Sequence, residues 1–208
     1  MSAEFALLLP ITSRGTGGMG VRSASEVEES LRGFLSSVQR TTVSESDRGS
    51  TVKIFLGIDI GDPVLDKRVL GGDDVITQDL DFLGIPFETV FCEVEQEDLQ
   101  VDDANGRRLA PAKGQVCCVW RRLAQAAFDQ GVAYTVLVGD DVRLLSTGWP
   151  SEIRREFAQL HKEAFPLESA EIPEDFGVLC FTDTTSSGFP GFPVLHRTHA
   201  DIFPDIFP

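Results

Sequence analysis

Apolar runs of strand length alternate with apolar positions at helical spacing along most of the chain. Phe5 to Leu9 is unbroken apolar sequence that stops at Pro10, the pattern of a strand covered on both faces. Val27, Leu31, Phe34, Leu35 and Val38 then fall on one face of a helix. Ser25 is placed to cap it, with Glu26, Glu28 and Glu29 in the first turn, where the helix dipole favours acids. A second strand is predicted over residues 52–60 (VKIFLGIDI), ending in the turn Gly61-Asp62-Pro63. Residues 62–81 predict a short helix and a loop, 85–94 a third strand, and 95–108 an acidic excursion. A helix over 114–130 carries Val119, Trp120, Leu123, Ala127 and Phe128 as its apolar set and stops at Gly131. A fourth strand over 133–138, a helix from Ser151 to about Ala164, a fifth strand over 177–182 and an apolar segment over 192–195 complete the series. The tail repeats Asp-Ile-Phe-Pro at 201–204 and 205–208, and its prolines exclude a long helix.

Strand and helix in alternation predict an α/β fold: a mostly parallel central sheet with helices on both faces, in three layers. A length of 208 residues fits one domain spanning 1–208. Thirty-three acidic against 18 basic residues give a net charge of -15. That balance argues against binding to nucleic-acid phosphates or anionic lipid. It leaves room for a nucleotide held through a cation. Cys92, Cys117, Cys118 and Cys180 fit neither a zinc spacing nor a disulfide framework, so buried thiols are expected. No apolar run approaches a membrane span, and Phe5 to Leu9 lacks the basic flank of a signal peptide. The expectation is a soluble protein, cytoplasmic or, if a leader is removed, in the secretory lumen.

In a parallel sheet ligands bind beyond the carboxyl ends of the strands. Three such ends carry polar chemistry: Pro10-Ile11-Thr12-Ser13-Arg14, Asp59-Ile60-Gly61-Asp62 and Gly139-Asp140-Asp141-Val142. Carboxylates gathered there repel one another unless a divalent cation joins them, and hard oxygen ligands suit magnesium or manganese. On residues alone Asp140-Asp141 is either a solvated turn or a metal-binding tip pinned by Val142, Leu144 and Leu145. Gly15 to Gly20 lacks both the P-loop ending and the dinucleotide spacing; it reads as a plain loop or one that closes over a ligand. Ser36-Ser37 has no nucleophile elbow, which disfavours a serine hydrolase. Trp149, Phe189, Phe192 and Phe203 either pack in the core or stack on a sugar face.

The run from Tyr134 to Val142 (YTVLVGDDV), followed by Gly148-Trp149, resembles the strand and acidic motif of GT-A glycosyltransferases of the family 2 type, which use nucleotide-diphospho-sugars. Leu7 to Arg14 (LLLPITSR) with the helix holding Leu31, Phe34, Leu35, Ser36, Ser37 and Val38 resembles that family's first strand and helix. Ile54 to Asp62 resembles the strand whose terminal acid meets the nucleotide base. Lys113-Gly114 and Trp120-Arg121-Arg122 resemble the helix before the acidic motif, and 189–203 is similar to the acceptor-side segment of one eukaryotic subgroup.

The resemblance implies a GT-A, Rossmann-like fold and a metal-dependent glycosyltransferase with a nucleotide-sugar donor, UDP-linked by the base contact. Asp141 would ligate Mn2+ or Mg2+, and Asp140 would touch ribose or the metal through water. Asp59 would accept from the base, Asp62 would lie near the ribose, and Pro10, Thr12 and Arg14 would wall the base pocket. Lys113 or Arg121 would meet the diphosphate. The family's acidic motif begins with an acid where this chain has Gly139, and the likeness ends at Pro208, before the segment that usually supplies the catalytic base. Asp183 is the first candidate for that role and His199 another, as base or metal ligand, against the plainer readings of a turn or cap residue and a surface or hydrogen-bonded histidine. The acceptor is a glycan, protein or small molecule of unspecified kind. Two alternatives stand beside this reading. One is a nucleotide-sugar-binding domain without catalysis. The other is a sugar nucleotidyltransferase, disfavoured because Thr12-Ser13-Arg14 precedes the glycines.

Overall fold

The apolar run at the start of the chain becomes an inner strand because both of its faces are covered. The computed structural model describes residues 3–13, 21–42, 51–62, 64–65, 85–93, 116–164, 173, 175–185 and 190–203. The described elements are β1 (Phe5–Ile11), α1 (Ala24–Thr42), β2 (Val52–Asp59), β3 (Phe87–Cys92), α2 (Val116–Asp129), β4 (Tyr134–Leu137), α3 (Trp149–Ala164), β5 (Val178–Thr182), β6 (Pro190–His196) and α4 (Arg197–Ile202). Six strands form one sheet in the order β3-β2-β1-β4-β6-β5. The first four in that order are mutually parallel. β6 is antiparallel to both β4 and β5, so β5 points the same way as the rest. This is a mixed α/β fold of Rossmann-like kind with a mostly parallel sheet flanked by helices, as the alternation of patterns predicts.

Side chains on a strand alternate between faces, and the two faces of β1 enter two separate cores. Phe5, Leu7, Leu9 and Ile11 join α1 through Val27, Leu31, Phe34, Leu35 and Val38, and α3 through Ile153 and Phe157. Ala6 and Leu8 join α2 through Val119, Leu123, Ala124 and Ala127. On the first face Phe5 stacks on Tyr134 at 4.9 Å and meets Trp149 edge-on at 5.5 Å. On the second, the helix lies so close to β2 that a Cβ on Gly57 would stand 2.4 Å from Val119 Cγ1.

Helix boundaries differ from the expected ones for local reasons. Ser23, rather than Ser25, starts α1 with a capping box: its N–H donates to Glu26 Oε2 (2.7 Å) and Glu26 N–H donates back to Ser23 Oγ (3.3 Å). α3 starts at Trp149, before Ser151, because the carbonyl of Gly148 accepts from Glu152 N at 3.1 Å. The apolar segment near residue 192 extends to a full strand, and a short helix, α4, follows it, with His196 accepting from Thr198 N at its start. Burial of thiols holds for Cys92 only: Cys117 and Cys180 are exposed and Cys118 is half-buried. Among the described residues no helix is long and apolar enough to cross a membrane. The helix expected within 62–81 and the acidic excursion at 95–108 lie outside the described residues, apart from 62, 64 and 65.

Candidate functional site

Because β2, β1 and β4 are adjacent and parallel, their carboxyl ends share one edge of the sheet. At the β1 and β2 tips the organising group is Asp62. Its Oδ2 accepts from Thr12 Oγ1 (3.0 Å) and Ser13 N (2.8 Å), and its Oδ1 accepts from Ser13 Oγ (2.6 Å), Val64 N (3.0 Å) and Leu65 N (2.9 Å). Burial raises the proton affinity of this carboxyl. The hydrogen bonds from Ser13 Oγ and from the amides of Leu65, Ser13 and Val64 outweigh it and hold the pKa below its ordinary value. With 0% of its surface exposed and its oxygens taken by the protein, Asp62 ties two strand tips together. The resemblance puts Asp62 near the ribose; in the fold its oxygens accept from donors of the chain itself.

Pro10 and Thr12 stand half-buried at the same edge. Asp59 ends β2 opposite Cys92 of β3 and is 8% exposed. The Cys92 thiol is pushed up to about 11, first by burial, with Arg122 opposing and the Asp59 charge adding to it. Asp59, Cys92 and Arg122 therefore form one electrostatic neighbourhood where β2 and β3 end. Arg121 is half-buried in the second turn of α2. Arg14, Lys113, Gly15 to Gly20 and Phe189 lie outside the described residues.

The β4 tip turns tightly, with Val142 N donating to Gly139 O at 3.2 Å. The two acids of this turn differ in environment. Asp140 Oδ2 is 2.7 Å from Arg22 Nη2, and the same guanidinium nitrogen donates to the carbonyl of Thr12. Arg22 thus bridges the β1 and β4 tips and neutralises Asp140. Asp141 is exposed. A Cβ on Gly139 would stand 2.7 Å from Asp141 Oδ1, the end of an exposed side chain that lies over the strand end.

Asp141 borders a cleft of about 390 Å³ that runs from the β4 tip to the β5 tip, across the start of β6. Arg143, Trp149, Phe181, Asp183 and Phe192 also line it. Asp183 follows β5 directly, and its Oδ1 accepts from Thr185 N (2.7 Å) and Thr185 Oγ1 (2.6 Å), an Asx turn that fixes the carboxylate. Phe192 has φ 52°, a left-handed conformation that is costly for a phenylalanine and turns the start of β6 at the cleft. Trp149 is 2% exposed and packs in the core, reaching the cleft only as part of its lining.

His199 is not part of this edge. β6 runs antiparallel, His196 pairs with Tyr134 at the start of β4, and α4 follows, so His199 lies where the parallel strands begin. The topology places its imidazole across the sheet from Asp141 and Asp183. His199 contacts the rings of Phe203 (5.0 Å) and Phe176 (6.4 Å), and its Nδ1 is buried with no hydrogen-bond partner. Burial holds its pKa below the ordinary 6.5. His196 is lowered too, by burial first, with Asp175 opposing. Burial thus favours the neutral form of both imidazoles in the fold, and the unfolded chain binds their protons more readily. Their contribution is full above pH 6.5 and is lost as pH falls through the lower folded values. His199→Phe is expected to keep the ring contacts and weaken this acid-side loss. Thermal melts between about pH 7 and pH 5 check it: a decline as steep as in the unmodified chain would contradict it.

Among the described residues no group of three or more His, Cys, Asp or Glu converges as a preformed metal cage. The donor set still suits a magnesium-like ion, which typically takes one or two carboxylates and completes its shell with phosphate oxygens and water. Asp141 is the exposed carboxylate that could hold such an ion; Asp140 beside it is paired with Arg22. Sequence reasoning missed Arg22 and the Asp62 donors. The signal for Arg22 was its place directly before the Ser23-x-x-Glu26 box, which fixes a cation at the helix start.

The chain matches no protein-family profile and no curated protein. A solved structure from Desulfovibrio desulfuricans G20, provisionally named a nucleotide-diphospho-sugar transferase, is similar to it in fold. The TM-score is 0.42 and the identity 14%, over 98% of this chain and 67% of that one. Similarity at this level carries no function across.

Proposed function

We propose that this chain transfers a sugar from a nucleotide-diphospho-sugar, UDP-linked, to an acceptor hydroxyl, with Mn2+ or Mg2+ at Asp141. The observation that carries the reading is the shared cleft: Asp141 and Asp183, from the tips of two parallel strands, line the same space. The base end of the donor lies toward Asp59, Pro10 and Thr12, and the diphosphate toward the β4 tip. Asp183 accepts the proton of the acceptor hydroxyl as its oxygen bonds to the anomeric carbon. The bond from that carbon to the diphosphate oxygen breaks, and its electron pair leaves with the nucleoside diphosphate. When bound, the cation neutralises the charge that grows on the leaving diphosphate. Arg22 holds Asp140 and the β1 tip together, which fixes the floor on which the diphosphate rests.

Calorimetry with UDP, with and without Mn2+, tests the site, and release of UDP from a UDP-sugar panel tests turnover. Manganese-dependent UDP binding with turnover is the expected result. Binding without turnover would turn the reading into that of a non-catalytic nucleotide-sugar-binding domain. In Asp141→Ala the loss of one charged ligand, about 1.5–3 kcal/mol, is expected to weaken manganese-dependent UDP binding roughly 10- to 100-fold. Unchanged affinity would reject Asp141 as the ligand.

A further inference from the structure

The loop that carries Asp141 has no strand ladder of its own over residues 138–148, yet two points along it are hydrogen-bonded to α1 and a third rests against it. Leu144 N donates to Ser37 Oγ at 3.0 Å, and Ser37 Oγ donates onward to Phe34 O at 2.6 Å. Gly148 N donates to Thr41 O at 3.1 Å. The Arg143 guanidinium lies against Gly33, 2.2 Å from where a Cβ would stand, while its Nη1 donates to Val142 O (2.7 Å) and Asp140 O (3.3 Å). Residues 33, 37 and 41 are four apart and so lie on one face of the helix. Gly33 gives room, Ser37 gives a hydroxyl and Thr41 gives a carbonyl, each at the height of the loop residue it meets.

We propose that Ser37 is a positioning residue for Asp141, acting through the Leu144 amide. This rests on the reading of Asp141 as the cation ligand. Ser37 is 1% exposed, and its hydroxyl is the side-chain acceptor that holds the loop after Asp141, at Leu144, against α1. A serine in mid-helix commonly bonds only its own preceding turn. This one also accepts a bond from a residue 107 positions away. On the other side of Asp141, the residue leading into α1, Arg22, grips Asp140. The helix and its leading arginine thus clasp the acidic turn before and after the exposed carboxylate. Loss of the serine hydroxyl leaves the α1 backbone intact, because alanine is the better helix former, but leaves the Leu144 amide without its acceptor.

The test uses the full chain with Ser37→Ala and, as a control, Val119→Ala, which removes core volume on the other face of the sheet. Hydrogen exchange over 141–145 and manganese binding by electron paramagnetic resonance are read on both. In Ser37→Ala, exchange over this loop is expected to quicken up to about tenfold, as for the loss of one hydrogen bond, and the Mn2+ dissociation constant to rise about tenfold, as for the loss of a group that orients a metal ligand. Val119→Ala is expected to lower the melting temperature with neither change. Exchange over 141–145 no faster in Ser37→Ala than in the control overturns the tie. Faster exchange with an unchanged Mn2+ constant overturns the positioning role. A wild-type chain that gives no bound-manganese signal overturns the cation reading and, with it, the role of Ser37 toward a cation; the exchange arm separately decides whether the tie exists.

Discussion

Asp183→Asn is expected to slow sugar transfer by roughly 10²- to 10⁴-fold, the contribution of a positioned general base, and to leave UDP and manganese binding unchanged. Asparagine keeps the shape of the side chain and an Oδ1 that still accepts from Thr185 N and Thr185 Oγ1, so the turn after β5 is retained. What it loses is a lone pair basic enough to take the acceptor proton. Because Asp183 and Asp141 border one cleft from different strand tips, the donor end of the site is untouched. Initial rates of UDP release with an acceptor present, set beside calorimetry of UDP and Mn2+, separate the two. An unchanged rate would reduce Asp183 to a turn residue. Loss of donor affinity alongside the rate would place it on the donor side instead.

The second large effect is on stability. Asp62→Ala removes the common acceptor of Thr12 Oγ1, Ser13 N, Ser13 Oγ, Val64 N and Leu65 N, buried between two strand tips. Buried donors left without partners cost about 1–3 kcal/mol each, and some of these will find water once the loop relaxes. A total loss of roughly 3–5 kcal/mol is expected, in the range that only a broken buried network reaches. For a chain of this size that lowers the melting temperature by on the order of 10 °C. The pH dependence follows from the depressed pKa. Above the ordinary aspartate value of 3.8 the contribution is complete, and it is lost as pH falls through the lower folded value. Melting curves of wild type and variant should therefore converge at the acid end. A variant that melts within a degree or two of wild type at neutral pH would show that the network is dispensable.

The fold class was legible because burial on two faces leaves a plain mark: an unbroken apolar run in β1 and a one-sided apolar stripe in α1. Strand order left no such mark. That β2, β1 and β4 are neighbours, and that β6 enters antiparallel between β4 and β5, follows from packing between elements far apart in sequence. The short helix α4 escaped notice because its signal is a histidine cap and six residues without a buried side chain. At the site, the acids at the strand tips were legible by type and place. Their separate environments were not: Asp62 owes its state to backbone amides, which every residue carries, and Asp140 to Arg22, 118 positions away. His199 followed a motif likeness, and only the direction of β6 reveals that it sits at the far edge.

The two tryptophans of the chain fall on opposite sides of the sheet. Trp149 packs edge-on to Phe5 and forms part of the cleft wall, whereas Trp120 rests on the α2 side with its indole N–H donating to Leu8 O at 3.2 Å. If the cleft takes the proposed donor, its filling is expected to change the emission of Trp149 in the wall and to leave Trp120, on the other side of the sheet, as a reference on the same molecule.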